Sequence, residues 1–181
     1  MRVISGTARG LKLASLDGDA TRPTLDNVKE AIFSMLFDKV RDARVLDLFA
    51  GSGALGIEAL SRGASSCVFV DKNAKAVKVI EDNLSKSRTK EKAHVLCTDS
   101  FDALSRLDKD GREFDIIFLD PPYAEGLLDK ALSDISSLSL LSEGGIIVAE
   151  SDKGTPLDIQ NYKLTKDKDY GRVCIRFLEA L

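Results

Sequence analysis

The sequence predicts an α/β fold, with a mostly parallel, doubly wound sheet of seven strands that ends in an antiparallel hairpin. From residue 44 onward, short runs rich in β-branched and aromatic residues alternate with amphipathic segments of helical period. Residues 162–181 instead contain two strand-like runs around the turn residues DYG, with no helix between them. A chain of 181 residues, 44% of them hydrophobic, has the size and composition of one globular domain.

The spacing of the apolar residues shows which of these alternating segments are helices and which are strands. Ala76, Ile80 and Leu84 recur at helical spacing, whereas FDIIFLD at 114–120 is a nearly continuous apolar run, as expected for a strand covered on both faces. The predicted strands are 44–50, 67–71, 93–99, 114–120 and 144–151, and the predicted helices are 54–63, 73–87, 100–107 and 126–138.

Residues 1–43 precede the first of these strands and are predicted to form a small extension. The runs RVISG and LKLASL indicate a β-hairpin, and TRPTLDNVKEAIFSMLFDKV indicates a helix with Thr24 as its N-cap. The extension is too small to fold alone, so we expect it to pack against a main domain of residues 44–181.

Several classes of protein are excluded by composition. Cys67, Cys97 and Cys174 are widely spaced in apolar, strand-like contexts and are expected to be buried thiols. With His94 as the sole histidine, the chain offers neither an ordinary zinc site nor an obvious histidine base, and we expect no metal. It contains no apolar run long enough to cross a bilayer and no signal-peptide core, which favours a cytoplasmic protein, expected to be monomeric.

A glycine-rich loop follows the first predicted strand. Gly51, Gly53 and Gly56 satisfy G-x-G-x-x-G, and Asp71 ends the next strand about 20 residues later, which formally matches a dinucleotide-binding fingerprint. Asp47, at the end of the first strand, argues against that ligand, because a pyrophosphate on the loop would face its carboxylate.

S-adenosylmethionine suits the same loop better, because it is cationic at its ammonium and sulfonium and carries no phosphate. Asp47 could meet the amino group, Asp71 the ribose hydroxyls, and Asp99, at the end of the third strand, the adenine amine. The three acids end successive parallel strands at the edge where open α/β sheets bind ligands. For any one of these acids taken alone, a structural role as a cap at the end of its strand is an equally good explanation. Ser52 and Ser100 complete the candidate cofactor-binding residues.

The fourth strand ends at the same edge, on the sequence DPPY. Neither Pro121 nor Pro122 can donate a backbone hydrogen bond. The corner is therefore expected to present three acceptors: the Asp120 carboxylate and the backbone carbonyls of Asp120 and Pro121. Tyr123 offers a ring for stacking. This arrangement suits a planar ring with an exocyclic amine, whose hydrogens would be drawn toward the acceptors so that its nitrogen can attack a methyl group held nearby. A plain strand-terminating turn is the structural alternative.

These features resemble those of class I S-adenosylmethionine-dependent methyltransferases, which have a Rossmann-like fold. DPPY is similar to the [DN]PP[YFW] signature of enzymes that methylate exocyclic amines. Together with RVISGTARGLKL, TRPTLDNVKEAIFSML, VLDLFAGSGALGIEALSRGA and YGRVCIRFL, it resembles the bacterial family that methylates guanine N2 in small-subunit (16S) ribosomal RNA. The resemblance covers essentially the whole chain. It implies that Asp120 to Tyr123 hold the amine and that Arg9, Arg22 and Thr24 lie near the cofactor or the RNA.

The same chemistry leaves other substrates open, namely DNA adenine N6 and protein glutamine N5. An NAD-dependent oxidoreductase and a non-catalytic RNA-binding protein are further alternatives, which Asp47 and the intact DPPY respectively disfavour. The chain has a net charge of −3, and only its first 13 residues form a basic stretch without acids. Binding of ribosomal RNA is therefore expected to depend on the surface of an assembled small subunit rather than on bulk charge.

Overall fold

The computed structural model describes residues 1–16, 23–122 and 126–181, except for the side chains of residues 23–25. Five helices and seven strands of the described residues follow one another in chain order, with short 3₁₀ turns at Phe37–Val40 and Lys90–Lys92. The helices are α1 (Pro23–Leu36), α2 (Ala54–Ser61), α3 (Ala74–Ser87), α4 (Ser100–Lys109) and α5 (Leu127–Ser137). The strands are β1 (Arg44–Asp47), β2 (Ser66–Asp71), β3 (Ala93–Cys97), β4 (Phe114–Leu119), β5 (Leu141–Asp152), β6 (Tyr162–Tyr170) and β7 (Val173–Ala180).

The strands form a single mixed sheet in the order β3-β2-β1-β4-β5-β7-β6. Strands β1 to β5 are parallel, while β7 runs antiparallel to both β5 and β6. The chain order reverses beside β1, so the sheet has a switch point between β1 and β4, where doubly wound folds bind ligands. The predicted α/β fold class and the C-terminal antiparallel hairpin are confirmed.

Helices cover both faces of the sheet, each burying one apolar side. Val28 of α1, Ile57 of α2 and Ile80 of α3 belong to one core cluster, and Leu104 of α4 and Leu132 of α5 belong to the other. Because both faces are covered, β4 is buried along almost its whole length, as its continuous apolar run predicts. None of these helices has the length and apolar character that a bilayer crossing requires.

The N-terminal residues pack on the first of these clusters through Val3 and Leu13. The predicted small hairpin is present in a short form: Arg2 and Lys12 form an antiparallel bridge, and three backbone hydrogen bonds join residues 1–3 to residues 10–13. Between these arms, the turn contacts Ser61 of α2. The prediction that Thr24 caps the following helix was wrong. Helix α1 begins at Pro23, a residue whose fixed φ suits the first helical position.

Two smaller predictions also need correction. Cys67 and Cys174 are buried as expected, but Cys97 is exposed at the end of the edge strand β3. Strand β5 begins at Leu141 rather than at Gly144, with an irregularity in its pairing to β4 between Phe114 and Ile116. Glycines at 144 and 145 obscured this start, because their composition favours a turn over a strand.

Candidate functional site

Acidic residues meet at the carboxyl edge of the sheet, as the sequence predicts. Asp47 ends β1, Asp71 ends β2, and Asp120 follows β4 directly. Strand β5 adds Glu150, a residue that the sequence reasoning passed over. Leu119 pairs with Ala149, which places Asp120 and Glu150 next to each other on neighbouring strands. The order β2-β1-β4-β5 thus brings four carboxyl groups to one edge.

The glycine loop between β1 and α2 has the backbone geometry that its sequence requires. Gly51 and Gly53 have φ values of 54° and 76°, in the left-handed region that side chains disfavour. Gly56 serves a different purpose, because a Cβ there would lie 2.3 Å from the Phe69 ring. The absence of a side chain at Gly56 therefore lets α2 pack closely on β2.

Asp47 is almost completely buried, with 3% of its surface exposed. Its Oδ2 accepts a hydrogen bond of 3.0 Å from the Gly56 backbone N–H. Burial raises the pKa of Asp47 to about 7, and the charges of Asp120 and Asp71 add to the shift, while the bond from Gly56 opposes it. This carboxyl group is therefore one whose ionised form a cationic ligand would stabilise.

Asp71 holds the glycine loop in place. One carboxylate oxygen accepts from the Gly51 N–H at 2.9 Å, and the other accepts from the Asn73 N–H at 2.8 Å. A carboxylate has about four acceptor positions, so each oxygen can accept once more. The position is compatible with the predicted contact to ribose hydroxyls, and it adds a structural role that the sequence did not predict.

Asp99 and Ser100 lie at the start of α4. The exposed Asp99 caps the helix by accepting from the Phe101 N–H at 2.9 Å, which matches the capping alternative for this acid. The Ser100 hydroxyl donates to the Leu48 carbonyl at 3.1 Å and so joins α4 to the loop after β1. Neither residue lines the acidic cavity, the one that is formed around Asp47 and Asp120.

A cavity of about 210 Å³ opens at this edge between the strand ends, α1 and the N-terminal residues. Of the predicted site residues, it brings together Asp47, Gly51, Ser52 and Asp120. A second cavity, of about 200 Å³, adjoins it and is lined by Pro121 and Pro122. Glu150 lines both cavities. The predicted stacking residue, Tyr123, lies outside the described residues.

Lys29 is a second residue of the cavity wall that sequence reasoning missed. It is 3% exposed, and its ammonium lies 3.2 Å from Oε2 of the fully buried Glu58 on α2. It also donates to the Arg2 carbonyl. Burial lowers the pKa of Lys29, while the neighbouring Glu58 opposes the shift. In the sequence, Lys29 has the appearance of an ordinary exposed helix residue, so no signal there identifies it.

Glu58 joins the N-terminal residues to the main sheet. Its two oxygens accept from the Ile4 N–H at 2.8 Å and the Ser5 N–H at 3.0 Å, and Arg62 lies 2.7 Å away. One buried carboxylate is thus satisfied by two backbone donors and two cations, as a charge in a core requires.

Asn83, fully buried on α3, makes a similar link beside the glycine loop. Its amide oxygen accepts from the Ala14 N–H at 2.8 Å, and its amide nitrogen donates to the carbonyls of Ala14 and Ser52. The loop that carries Ser52 and the N-terminal segment are therefore held by the same side chain. Because helix periodicity predicts only apolar contacts at this position, the sequence did not reveal it.

The predicted substrate-binding residues are only partly described. Arg9 is exposed and lines a separate concavity with Arg2, Asp26 and Glu30, not the acidic cavity. Arg22 lies outside the described residues, as does the side chain of Thr24. The structure therefore leaves the roles implied for these three residues as predictions.

One cluster of possible metal ligands occurs among the described residues, on the hairpin of β6 and β7, which extends the sheet beyond β5. It consists of Asp167, Asp169 and Cys174. Lys153 lies 2.8 Å from Asp169, and Arg176 lies 3.6 Å from Asp167. Because the protein's own cations already balance these carboxylates, the cluster is explained as a surface ion-pair network.

Comparison with known proteins confirms the resemblance of the chain to ribosomal RNA methyltransferases. The chain is 35% identical to "Ribosomal RNA small subunit methyltransferase D" of Haemophilus influenzae, over 99% of this chain and 93% of that protein. A solved hypothetical protein of Thermus thermophilus shares 28% identity with a TM-score of 0.86, over 99% of both chains. An RNA methyltransferase of Salinibacter ruber, solved with S-adenosyl-L-homocysteine, shares the fold at 17% identity and a TM-score of 0.67, over 86% of this chain and 92% of that one. Residues 1–179 match the model of the family described as Conserved hypothetical protein 95, and the chain therefore belongs to this family.

Proposed function

We propose that the protein is an S-adenosylmethionine-dependent methyltransferase acting on the exocyclic N2 amine of a guanine in small-subunit (16S) ribosomal RNA. One observation carries the proposal: the glycine loop, the buried Asp47 and the corner formed by Asp120, Pro121 and Pro122 lie at one sheet edge, around two adjoining cavities. One cavity has the chemistry of a cofactor site, and the other adjoins a corner suited to an amine.

The residues of the first cavity fit S-adenosylmethionine better than a dinucleotide. Three carboxyl groups line it, and Lys29, the basic side chain among its described lining residues, is held by Glu58. A pyrophosphate would face like charges there, whereas the cofactor's cations would be attracted. Gly51 has open space where a Cβ would lie, so a ligand can approach its backbone closely. The Salinibacter ruber enzyme of the same fold was solved with the demethylated form of this cofactor.

The chain's residues would divide the binding as follows. Asp47 would hold the amino group of the cofactor, Asp71 would accept from the ribose hydroxyls, and Asp99 would accept from the adenine amine. When bound, S-adenosylmethionine supplies an electrophilic methyl group on its sulfonium.

The proline corner would prepare the amine for attack. The Asp120 carboxylate would accept one hydrogen of the amine and the Pro121 carbonyl the other, which draws the nitrogen lone pair out of conjugation with the ring. As the nitrogen becomes positive in the transition state, the Asp120 carboxylate would stabilise the charge. The stacking role of Tyr123 remains part of the prediction.

The RNA substrate is inferred from similarity. The Haemophilus influenzae relative, which matches over almost its full length, is named as a methyltransferase of the small ribosomal subunit. To enter the second cavity, a base would have to leave its stack, as in other enzymes that modify bases.

Transfer of labelled methyl groups tests the proposal. Small subunits purified from cells that lack this protein are incubated with it and labelled S-adenosylmethionine, and the labelled nucleotide is mapped by mass spectrometry. We expect label on N2 of a guanine in 16S RNA, with assembled subunits labelled faster than the naked RNA. Label on DNA adenine or on protein glutamine instead would replace the proposed substrate. Equal rates on naked RNA and on particles would contradict the requirement for an assembled surface.

A further inference from the structure

Glu150 lies beside Asp120, at the junction of the two cavities. It occupies the end of β5, beside Asp120, and its side chain lines both the acidic cavity and the adjoining cavity under Pro121 and Pro122. Leu119 and Ala149, the residues that precede this pair, point into the same core cluster. Because side chains alternate along a strand, Asp120 and Glu150 both point to the opposite face, toward α1.

Glu150 is half-buried, and no cation of the described residues balances its carboxyl group. Within residues 1–16, 23–122 and 126–181, it takes part in none of the ion pairs. Burial raises its pKa to about 8, and the neighbouring charge of Asp120 contributes to the shift. A carboxyl group in such a place is stabilised in its ionised form by N–H donors from a ligand.

Two adjacent carboxyl groups distinguish between the bases that carry an exocyclic amine. In guanine, the N2 amine is flanked by N1–H, so the edge presents two neighbouring donors. In adenine, the N6 amine is flanked by N1, which is an acceptor and would face a carboxylate unfavourably. A glutamine side chain has no second donor beside its amide nitrogen.

We propose that Glu150 is the residue that selects guanine, by accepting a hydrogen bond from N1–H while Asp120 accepts from N2–H. This inference rests on the proposed function, because it assigns the reading of the base within the same site. It gives a physical reason why a corner shared with adenine and glutamine methyltransferases would act on guanine here. Asp120 holds the reacting amine, and Glu150 binds only a base that has a hydrogen on the neighbouring N1 atom.

The test replaces the mapped guanine by 2-aminopurine, through ligation of a synthetic RNA segment into 16S RNA and reconstitution of the particle. 2-Aminopurine keeps the 2-amine but has an acceptor at N1 and no oxygen at C6. For the unmodified protein, we expect kcat/KM to be about 10- to 100-fold higher for guanine. A ratio near one would overturn the proposal without the need for any variant.

Glu150→Gln sharpens the test. Its amide can donate to N1 of 2-aminopurine or accept from N1–H of guanine, so the preference should fall toward one. Glu143→Gln provides the matched control, because Glu143 is an exposed residue at the opposite end of β5, and its ratio should equal that of the unmodified protein. A purely structural or general-base role of Glu150 would reduce both rates equally and leave the ratio unchanged, which would overturn the inference.

Failure of this inference can be distinguished from failure of the proposed function. If the unmodified protein transfers no methyl group to guanine in the particle, the proposed function fails, and Glu150 loses its role with it. If guanine is methylated and the ratio does not respond to Glu150→Gln, only the inference about Glu150 fails. Thermal unfolding and calorimetric binding of S-adenosylmethionine by the variant establish that the comparison concerns a folded, cofactor-competent protein.

Discussion

The acidic residues at the two ends of strands β1, β4 and β5 differ in whether a cation pairs with them. At the amino end, Asp115 receives the Arg44 guanidinium through bonds of 2.9 and 3.1 Å and the Ser142 hydroxyl at 2.8 Å. At the carboxyl end, Asp47 and Glu150 take part in none of the ion pairs among the described residues. Among the described residues, Asp115 at the amino edge is therefore paired with a cation, whereas Asp47 and Glu150 at the carboxyl edge are not.

The acid pKa values follow this difference. The hydrogen bond with Arg44 is the largest cause that lowers the pKa of Asp115 to about 2, whereas burial raises those of Asp47 and Glu150 to about 7 and 8. An acid with a lowered pKa stabilises the fold at neutral pH, and an acid with a raised pKa weakens it. The buried acids of the carboxyl edge therefore lower the stability of the fold at neutral pH, as is common for the residues of binding sites.

The largest expected effect comes from removing the acceptor at the proline corner. Asp120→Ala should reduce the rate of methyl transfer by about 100- to 1000-fold, since the carboxylate would stabilise charge that develops in the transition state. Single-turnover transfer to small subunits measures the loss, and calorimetry should show that the variant still binds S-adenosylmethionine. A variant that keeps its rate would show that the corner does not hold the amine.

Replacing the buried acid of the cofactor cavity should separate stability from binding. Asp47→Asn keeps an acceptor for the Gly56 N–H but removes the charge, so affinity for S-adenosylmethionine should fall by about 10- to 100-fold. The same change should raise the free energy of unfolding at pH 8 by about 2 kcal/mol, because the buried charge is no longer formed. Denaturant unfolding and calorimetry measure the two effects, and a loss of stability at pH 8 would contradict the explanation.

The raised pKa of Asp47 also predicts a pH dependence. Its folded pKa of about 7 lies above the unfolded value of 3.8, so the stability that it contributes is complete below pH 3.8 and is lost as the pH rises through 7. Cofactor binding should show the opposite trend, because the ammonium needs the ionised form. Affinity should fall by about tenfold from pH 8 to pH 6 in the unmodified protein. In Asp47→Asn, this part of the dependence should disappear, and an identical pH profile in the two proteins would exclude Asp47 as the titrating group.

The smallest effect is expected at the amino edge. Asp115→Asn should lower the free energy of unfolding by about 1 kcal/mol at pH 7, a value reduced for screening because the side chain is 35% exposed. The folded pKa of about 2 lies below the unfolded 3.8, so this difference should vanish as the pH falls through 2. Methyl transfer should be unchanged. A large loss of transfer would show that the two edges are not functionally separate.

The sequence predicts most of the fold and the centre of the site. The switch from helical to strand period identifies each layer, and strands that end in Asp47 and Asp71 must place these acids at a common edge because they are parallel. Lys29, Asn83 and Glu150 escaped prediction for a shared reason. Each acquires its role from contacts between segments far apart in the chain, which local period does not encode.

The paired part of the N-terminal hairpin is shorter than its sequence predicts, for a related reason. Alternating apolar residues in RVISG and LKLASL favour a ladder, but Gly6 lies so close to α2 that an added Cβ would overlap the Ser61 carbonyl. At residues 4–8, contacts to Glu58 and Ser61 therefore take the place of strand pairing, which is kept between residues 1–3 and 10–13.

The buried Glu58 has a consequence for how the molecule opens. The amides of Ile4 and Ser5 donate to a carboxylate with no exposed surface, which can be released only when α2 separates from the N-terminal segment. In deuterium exchange, these two amides should therefore exchange as slowly as the central strand β1, although they lie close to the chain terminus. The N-terminal segment would then be a member of the cooperative unfolding unit, and not a flap that frays before it.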